Sequence, residues 1–364
     1  MSNATLAAAR QAFRSTATST ASRRGFASAS RLQVSYGFIG LGRMGYPMAQ
    51  NLRAKIPASD TMFVHDVNAS IVEQFASEHK NVTAAKDVRE VSENATTIIT
   101  VLPEPHHVQN VFRNMLQPPT LKSDAPIRDD RLFIDCSTID VRSSATVAEA
   151  THCSGQGKFV DAPMSGGVVG AAAGKLTFMV GAADDQIERV TEVLSMMGKR
   201  VIHLGPQTSG LKGKLANNYL LALNNIATCE AMNMGVQWGL DAKALAVMIN
   251  TATGKCWPSE VNNPVPGVIE GSPASKGYAG GFGTALMLKD LKLAMQAATE
   301  AGIQPRLGEQ ARDIYAAVYW RKGCVLDVRA LLDRARPEDR VSVDFWLTAS
   351  SNAKNAPTSA TADD

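Results

Sequence analysis

Two side chains near the middle of the chain could move a proton. Lys214 and Asn218 are four residues apart, so a helix would present them on one face. An ammonium and an amide on one face can bind and polarise a hydroxyl or carbonyl oxygen. For acid–base work near neutral pH the ammonium must be buried or stand beside another cation, because either lowers its pKa. Spacing alone is satisfied equally by a solvated helix lysine. Upstream, Asp161-Ala-Pro-Met-Ser165-Gly166-Gly167 follows an apolar run. Ser-Gly-Gly lets main-chain N–H groups converge into a small nest suited to a carboxylate, although a plain turn has the same composition. Downstream, Lys289 and Asp290 close a segment that opens at Gly281-Phe282, and without context they read as a surface ion pair. His106 and His107 are spaced with no serine nucleophile or metal partner, and they read as loop residues.

A second group of residues could hold phosphate. Gly40-Leu41-Gly42-Arg43-Met44-Gly45 follows the apolar run Val34–Ile39 and precedes a helical pattern at Pro47–Ala54. In such a loop Gly40 permits the tight turn, Gly42 lets backbone approach a pyrophosphate, and Gly45 allows helix to pack on strand. The helix N-terminus adds aligned N–H donors. Met62–His65 reads as another strand ending in Asp66, the acid expected on the adenosine ribose hydroxyls. The same carboxylate would repel a 2′-phosphate. NAD is therefore expected over NADP.

The elements that must position these residues alternate. Short apolar strands are predicted at Thr97–Leu102, Leu132–Ile134, Lys158–Val160 and Leu176–Val180, separated by helical stretches. That is the pattern of βαβ units, hence an α/β, Rossmann-type, doubly wound and mostly parallel sheet. After Leu204 the strand signal fades. Leu211–Leu240 lacks proline and reads as one long helix, followed by helices at Asp241–Asn250 and Leu286–Ala301, with a loop-rich stretch around Trp257, Pro258, Pro264 and Pro266. An all-α domain is expected there. The expected organisation is 1–33 as a leader, 34–204 as the dinucleotide-binding domain, 205–335 as the helical domain and 336–364 as a divergent, partly disordered tail.

Composition narrows the class. Lys and Arg total 37 against 34 Asp and Glu, a balance that argues against nucleic acid or an anionic membrane as partner. No apolar run reaches the length of a membrane span. Five cysteines without a C-x-x-C argue against a disulfide framework or structural zinc, and no His/Cys/Asp cluster suggests a metal. Residues 1–33 hold Arg10, Arg14, Arg23, Arg24 and Arg31 among Ser, Thr and Ala, and no acid. This is the composition of a mitochondrial transit peptide, and the matrix is the expected location.

Taken together, Gly37–Leu52, Asp161–Leu176 and Gly210–Asn218 resemble the β-hydroxyacid dehydrogenase family. The stretches Thr253–Val268 and Gly280–Leu291 narrow that resemblance to one of its members. The likeness covers about 34–320 and is lost beyond Lys322. It implies an NAD-dependent dehydrogenase of a short hydroxy acid, with Lys214 as general acid/base. It further implies Ser165, Gly166, Gly167, Asn218 and Asp290 around the substrate. Leu102, Pro103, Thr138, Phe282 and Lys289 would join Gly40–Gly45 and Asp66 around the cofactor. A homodimer or homotetramer is also implied. The rival readings are a sibling hydroxyacid dehydrogenase or semialdehyde reductase, and a non-catalytic dinucleotide-binding assembly protein. His107 stands where relatives usually carry an asparagine, so that contact is not carried over.

Overall fold

A computed structural model describes residues 34–117 and 131–322. The leader at 1–33 and the tail at 336–364 lie outside the described residues.

The chain first lays down alternating strands and helices. In order they are β1 (Ser35–Ile39), α1 (Gly45–Lys55), β2 (Thr61–His65), α2 (Ala69–Glu78), β3 (Val82–Ala84), α3 (Val88–Asn94) and β4 (Thr97–Thr100). Then come α4 (Pro105–Met115), β5 (Leu132–Asp135), α5 (Val141–Cys153), β6 (Lys158–Asp161), β7 (Met164–Ser165), α6 (Gly167–Ala172), β8 (Leu176–Gly181), α7 (Ile187–Ser195) and β9 (Gly198–Gly205). The sheet runs β3-β2-β1-β4-β5-β6-β8-β7, with β9 pairing β8. The first six strands in that order are mutually parallel. β8 then pairs antiparallel with both β6 and β7.

Burial follows from sequence. Thr97–Thr100 and Leu132–Asp135 are buried at every position, as strands covered by helices on both faces must be. Two apolar clusters line the faces. One gathers Phe38, Met48, Leu52, Phe75 and Phe178. The other gathers Ile39, Ile98, Phe112, Phe133 and Phe159, with Phe112 tilted against Phe133 and edge-on to Phe159 at centroid distances of 5.5 and 5.2 Å. Gly37 is flat because α3 presses on β1 there, and a Cβ would stand 2.5 Å from Val91 Cγ1.

The helical part begins with α8 (Ser209–Gln237), a single helix of 29 residues. It continues with α9 (Ala242–Thr251), α10 (Trp257–Glu260), α11 (Thr284–Glu300) and α12 (Gly308–Lys322). Its core packs Ala222 and Ile226 of α8 against Met287 and Leu291 of α11 and Tyr315 of α12.

Three expectations need correction, and one strand was missed. The strand signal does fade after Leu204 as expected, but β9 (Gly198–Gly205) was not predicted. It was hidden because Lys199, Arg200, Ile202, His203 and Leu204 are all exposed on an edge strand. Ser165 lies in the short strand β7 rather than in a loop. The stretch around Trp257 contains α10, started by a capping box between Cys256 and Ser259. His106 and His107 occupy the first turn of α4, not a loop, with ring centroids 3.9 Å apart.

Candidate active site

The glycine loop is built at the carboxyl end of β1. The Gly40 amide donates to the His65 carbonyl at 2.9 Å, and Gly40 adopts φ +99°, a conformation only glycine holds without strain. A side chain at Gly40 would collide with the Val101 carbonyl, so the loop abuts the end of β4. A side chain at Gly45 would strike the Gly40 carbonyl, whereas Gly42 faces open space. The first turn of α1 carries no acidic residue and no side-chain cap. A helix start without an acid or a side-chain cap, beside an open glycine, suits a pyrophosphate. Asp66, at the end of β2, accepts from the Leu41 amide at 2.6 Å and from the Asn68 amide at 2.9 Å, which fixes the acid beside the loop. Arg43 and Met44 complete the turn, with Arg43 exposed.

The neighbouring loops are held by a buried carboxylate that sequence reasoning missed. Asp135 accepts from Thr100 Oγ1 at 2.7 Å and from Ser137 Oγ at 2.6 Å. Ser137 Oγ accepts in turn from the Leu102 amide at 2.9 Å. The loop of Leu102 and Pro103 is thereby tied to the loop of Thr138. Burial raises the Asp135 carboxyl above its ordinary range.

Lys289 joins those loops to α11. Its Nζ donates to the Thr138 carbonyl at 2.5 Å and to the Pro103 carbonyl at 3.4 Å, and stands 3.1 Å from Asp290 Oδ1. The last contact is an ion pair without hydrogen-bond geometry. Asp290 Oδ2 accepts from Asn218 Nδ2 at 2.6 Å. Asp290 is thus committed to a lysine and an amide, both of them protein groups.

Lys214 lies one turn before Asn218 on α8. Its residue is only 7% exposed, and among the described residues its ammonium makes no hydrogen bond or salt bridge. Burial lowers its pKa, Asp290 acts against that fall, and Lys289 adds to it. A lysine that is buried, short of partners and close to a second cation is easier to deprotonate than a surface lysine. The solvated alternative is thereby removed.

The structure therefore gathers Lys214, Asn218, Lys289, Asp290, Pro103, Leu102 and Thr138 into one cluster beside the glycine loop. Ser165–Gly167 lie where β7 passes into α6. No hydrogen bond joins Ser165 to Lys214 or Asn218 among the described residues. Gly166 and Gly167 have φ of 135° and 62°, and α6, which they open, is tied to α1 by Asn51 Nδ2 donating to the Ala171 carbonyl at 2.9 Å. Phe282 is 42% exposed, just before α11.

The halves of the chain match two family models. Residues 35–205 match the NAD binding domain of 6-phosphogluconate dehydrogenase, and 208–334 match the NAD-binding domain of NADP-dependent 3-hydroxyisobutyrate dehydrogenase. The mitochondrial 3-hydroxyisobutyrate dehydrogenase of Mus musculus is 42% identical over 279 residues, 77% of this chain and 80% of its own. The chain belongs to the β-hydroxyacid dehydrogenase family. A probable mitochondrial 3-hydroxyisobutyrate dehydrogenase of Dictyostelium discoideum is 40% identical over 77% of this chain and 84% of its own. The solved 3-hydroxyisobutyrate dehydrogenase of Mycobacterium tuberculosis with L-serine has a TM-score of 0.74 at 36% identity, over 84% of this chain and 100% of that one. This β-hydroxyacid dehydrogenase is an oxidoreductase that uses a nicotinamide dinucleotide. The family match runs to 334, which corrects the expectation that the likeness is lost beyond Lys322.

Proposed function

We propose that the protein oxidises 3-hydroxyisobutyrate to methylmalonate semialdehyde with NAD, a step of valine breakdown in the mitochondrial matrix. The observation that carries this reading is Lys214, a buried lysine beside Asn218 and Asp290 at the mouth of the dinucleotide loops. The bound dinucleotide supplies the hydride acceptor for the substrate's hydroxymethyl carbon. Neutral Lys214 takes the proton from the hydroxyl as that carbon becomes an aldehyde, and Asn218 holds the oxygen in line. Backbone amides of Ser165–Gly167 receive the substrate carboxylate. Gly40–Gly45 cradle the pyrophosphate, and Asp66 takes the ribose hydroxyls, favouring NAD over NADP. Leu102, Pro103, Thr138, Phe282 and Lys289 line the nicotinamide side. Asp290 acts through Asn218 and Lys289.

The relatives named above support the substrate, and the mitochondrial names among them agree with the arginine-rich, acid-free 1–33. A homodimer or homotetramer is supported by Met234, Trp238, Val247 and Met248, apolar yet exposed on and after α8 and on α9.

The deciding measurement is NADH formation by the purified chain lacking its first 33 residues, with 3-hydroxyisobutyrate, L-serine and other short hydroxy acids compared. The highest kcat/KM is expected for 3-hydroxyisobutyrate with NAD. A preference for L-serine would instead favour a sibling activity, a second reading motivated by the ligand in the mycobacterial structure. No turnover with any hydroxy acid would overturn the reading.

A further inference from the structure

The carboxylate of Asp161 is fully buried and takes three hydrogen bonds. Oδ1 accepts from the Thr208 amide at 2.7 Å and from Gln207 Nε2 at 2.8 Å, and Oδ2 accepts from the Leu211 amide at 2.9 Å. Two of the three donors are backbone groups at the start of α8. A helix is usually capped by the side chain immediately before it. Here Thr208 holds the cap position without making a side-chain cap bond, and the acceptor arrives from β6, 47 residues earlier.

We propose that Asp161 is a positioning residue for the reaction, fixing the helix that carries Lys214 against the strand that leads into the Ser165–Gly167 segment. The proposal rests on the reading of Lys214 and that segment given above. Asp161 lies four residues before Ser165, and its partner Leu211 lies three before Lys214. One carboxylate therefore sets where both functional segments begin.

Three observations support it. First, the side chain has nowhere else to go. A Cβ on Gly181 would come within 2.5 Å of Oδ1, and one on Gly210 within 2.9 Å of Oδ2. Second, Thr208 is held at φ +77°, a left-handed conformation that is a strained outlier for a β-branched residue. The Thr208 amide is one of those that Asp161 holds, so the clamp and the strain share a residue. Third, the carboxylate is held there at an electrostatic cost. Burial pushes the Asp161 carboxyl up to about 6, and neighbouring Asp135 adds to that rise. A charge kept in so unfavourable a place is the mark of geometry rather than of packing.

The test compares Asp161→Asn with the parent enzyme, with Lys214→Ala alongside. Asn keeps the shape but cannot accept at both ends. The expected result is a roughly 10- to 100-fold fall in kcat from misplacement of Lys214, with NADH affinity unchanged. Adding Thr208→Gly to Asp161→Asn should recover part of kcat, because glycine holds the turn without the clamp. Gln207→Ala, which leaves both backbone bonds in place, should show a smaller fall in the same direction, and it decides the matter if Asp161→Asn does not fold. Parental kcat in Asp161→Asn, or in Gln207→Ala where the other is insoluble, overturns the proposal while Lys214→Ala stays inactive. A kcat loss matched by equal losses of NADH affinity and thermal stability also overturns it, since a purely structural role predicts that. Near-normal turnover in Lys214→Ala removes the functional reading and this proposal with it.

Discussion

Asn218 and Asp290 meet at 2.6 Å across the contact between α8 and α11, and the same carboxylate faces Lys289. The charges around Lys214 are therefore arranged on one neighbouring helix, one opposing its loss of a proton and one favouring it.

Two single changes should then move the acid limb of kcat/KM in opposite directions. In oxidation Lys214 must be neutral, so activity falls as pH drops through its pKa. Lys289→Met removes a cation that lowers that pKa, and the limb should move to higher pH. Asp290→Asn removes an anion that raises it, and the limb should move lower. Profiles shifting the same way would refute the assignment of Lys214 as the titrating group.

Lys214→Met should lose about 10²- to 10⁴-fold in kcat and keep its affinity for NADH. It should also be the more stable protein near neutral pH. The native lysine's pKa is depressed by burial, so the unfolded chain binds the proton more readily and parental stability rises with pH across the window between the two values. The advantage of the methionine variant should shrink as pH approaches the ordinary lysine range. Urea titrations at several pH values would measure it.

The glycines of the nucleotide loop should separate folding from binding. Gly45→Ala drives a methyl into the Gly40 carbonyl, and a loss of stability on the order of 1–3 kcal/mol is expected from such overpacking. Gly42→Ala has room for its methyl. That variant should melt like the parent yet bind NADH poorly, because the methyl occupies space that the pyrophosphate needs. Normal NADH binding by Gly42→Ala would mean the phosphates lie elsewhere.

Asp66→Arg should exchange the preference of the enzyme from NAD to NADP, as read from the ratio of kcat/KM for the two. Unchanged selectivity would show that another residue sets it. Some loss of loop order is expected as well, since the Leu41 amide loses its acceptor.

Much of this site was legible because the chemistry sat in short contiguous motifs. A glycine loop between an apolar strand and a helix has few other uses, and the second strand ended in an acid where a ribose needs one. Lys214 was less legible. Its spacing to Asn218 placed it on a face, but only the packing of α11 showed that face to be buried. For Asp290 the resemblance implied a substrate contact, but sequence could not show its hydrogen bond from Asn218 or its ion pair with Lys289. Asp135 and Asp161 were overlooked as functional groups, although each closes an apolar strand, Leu-Phe-Ile-Asp and Lys-Phe-Val-Asp, in the same way. An acid ending a buried strand was the available signal. Its partners, at Thr100 and Leu211, lie too far away in sequence to be paired by pattern. β9 escaped notice because an edge strand need not be apolar.

The long helix that starts at this clamp contains no proline, and at 29 residues it spans about 43 Å. Its far end is gripped where Met232 packs with Leu245 and Val265. Without a proline, the places for a kink are Gly210 and Gly213 before Lys214 and Gly235 near the far end. A bend at Gly210 or Gly213 would carry Lys214 with it, so the close fit of Gly210 against Met179 of β8 and Asp161 of β6 governs where the lysine nitrogen points.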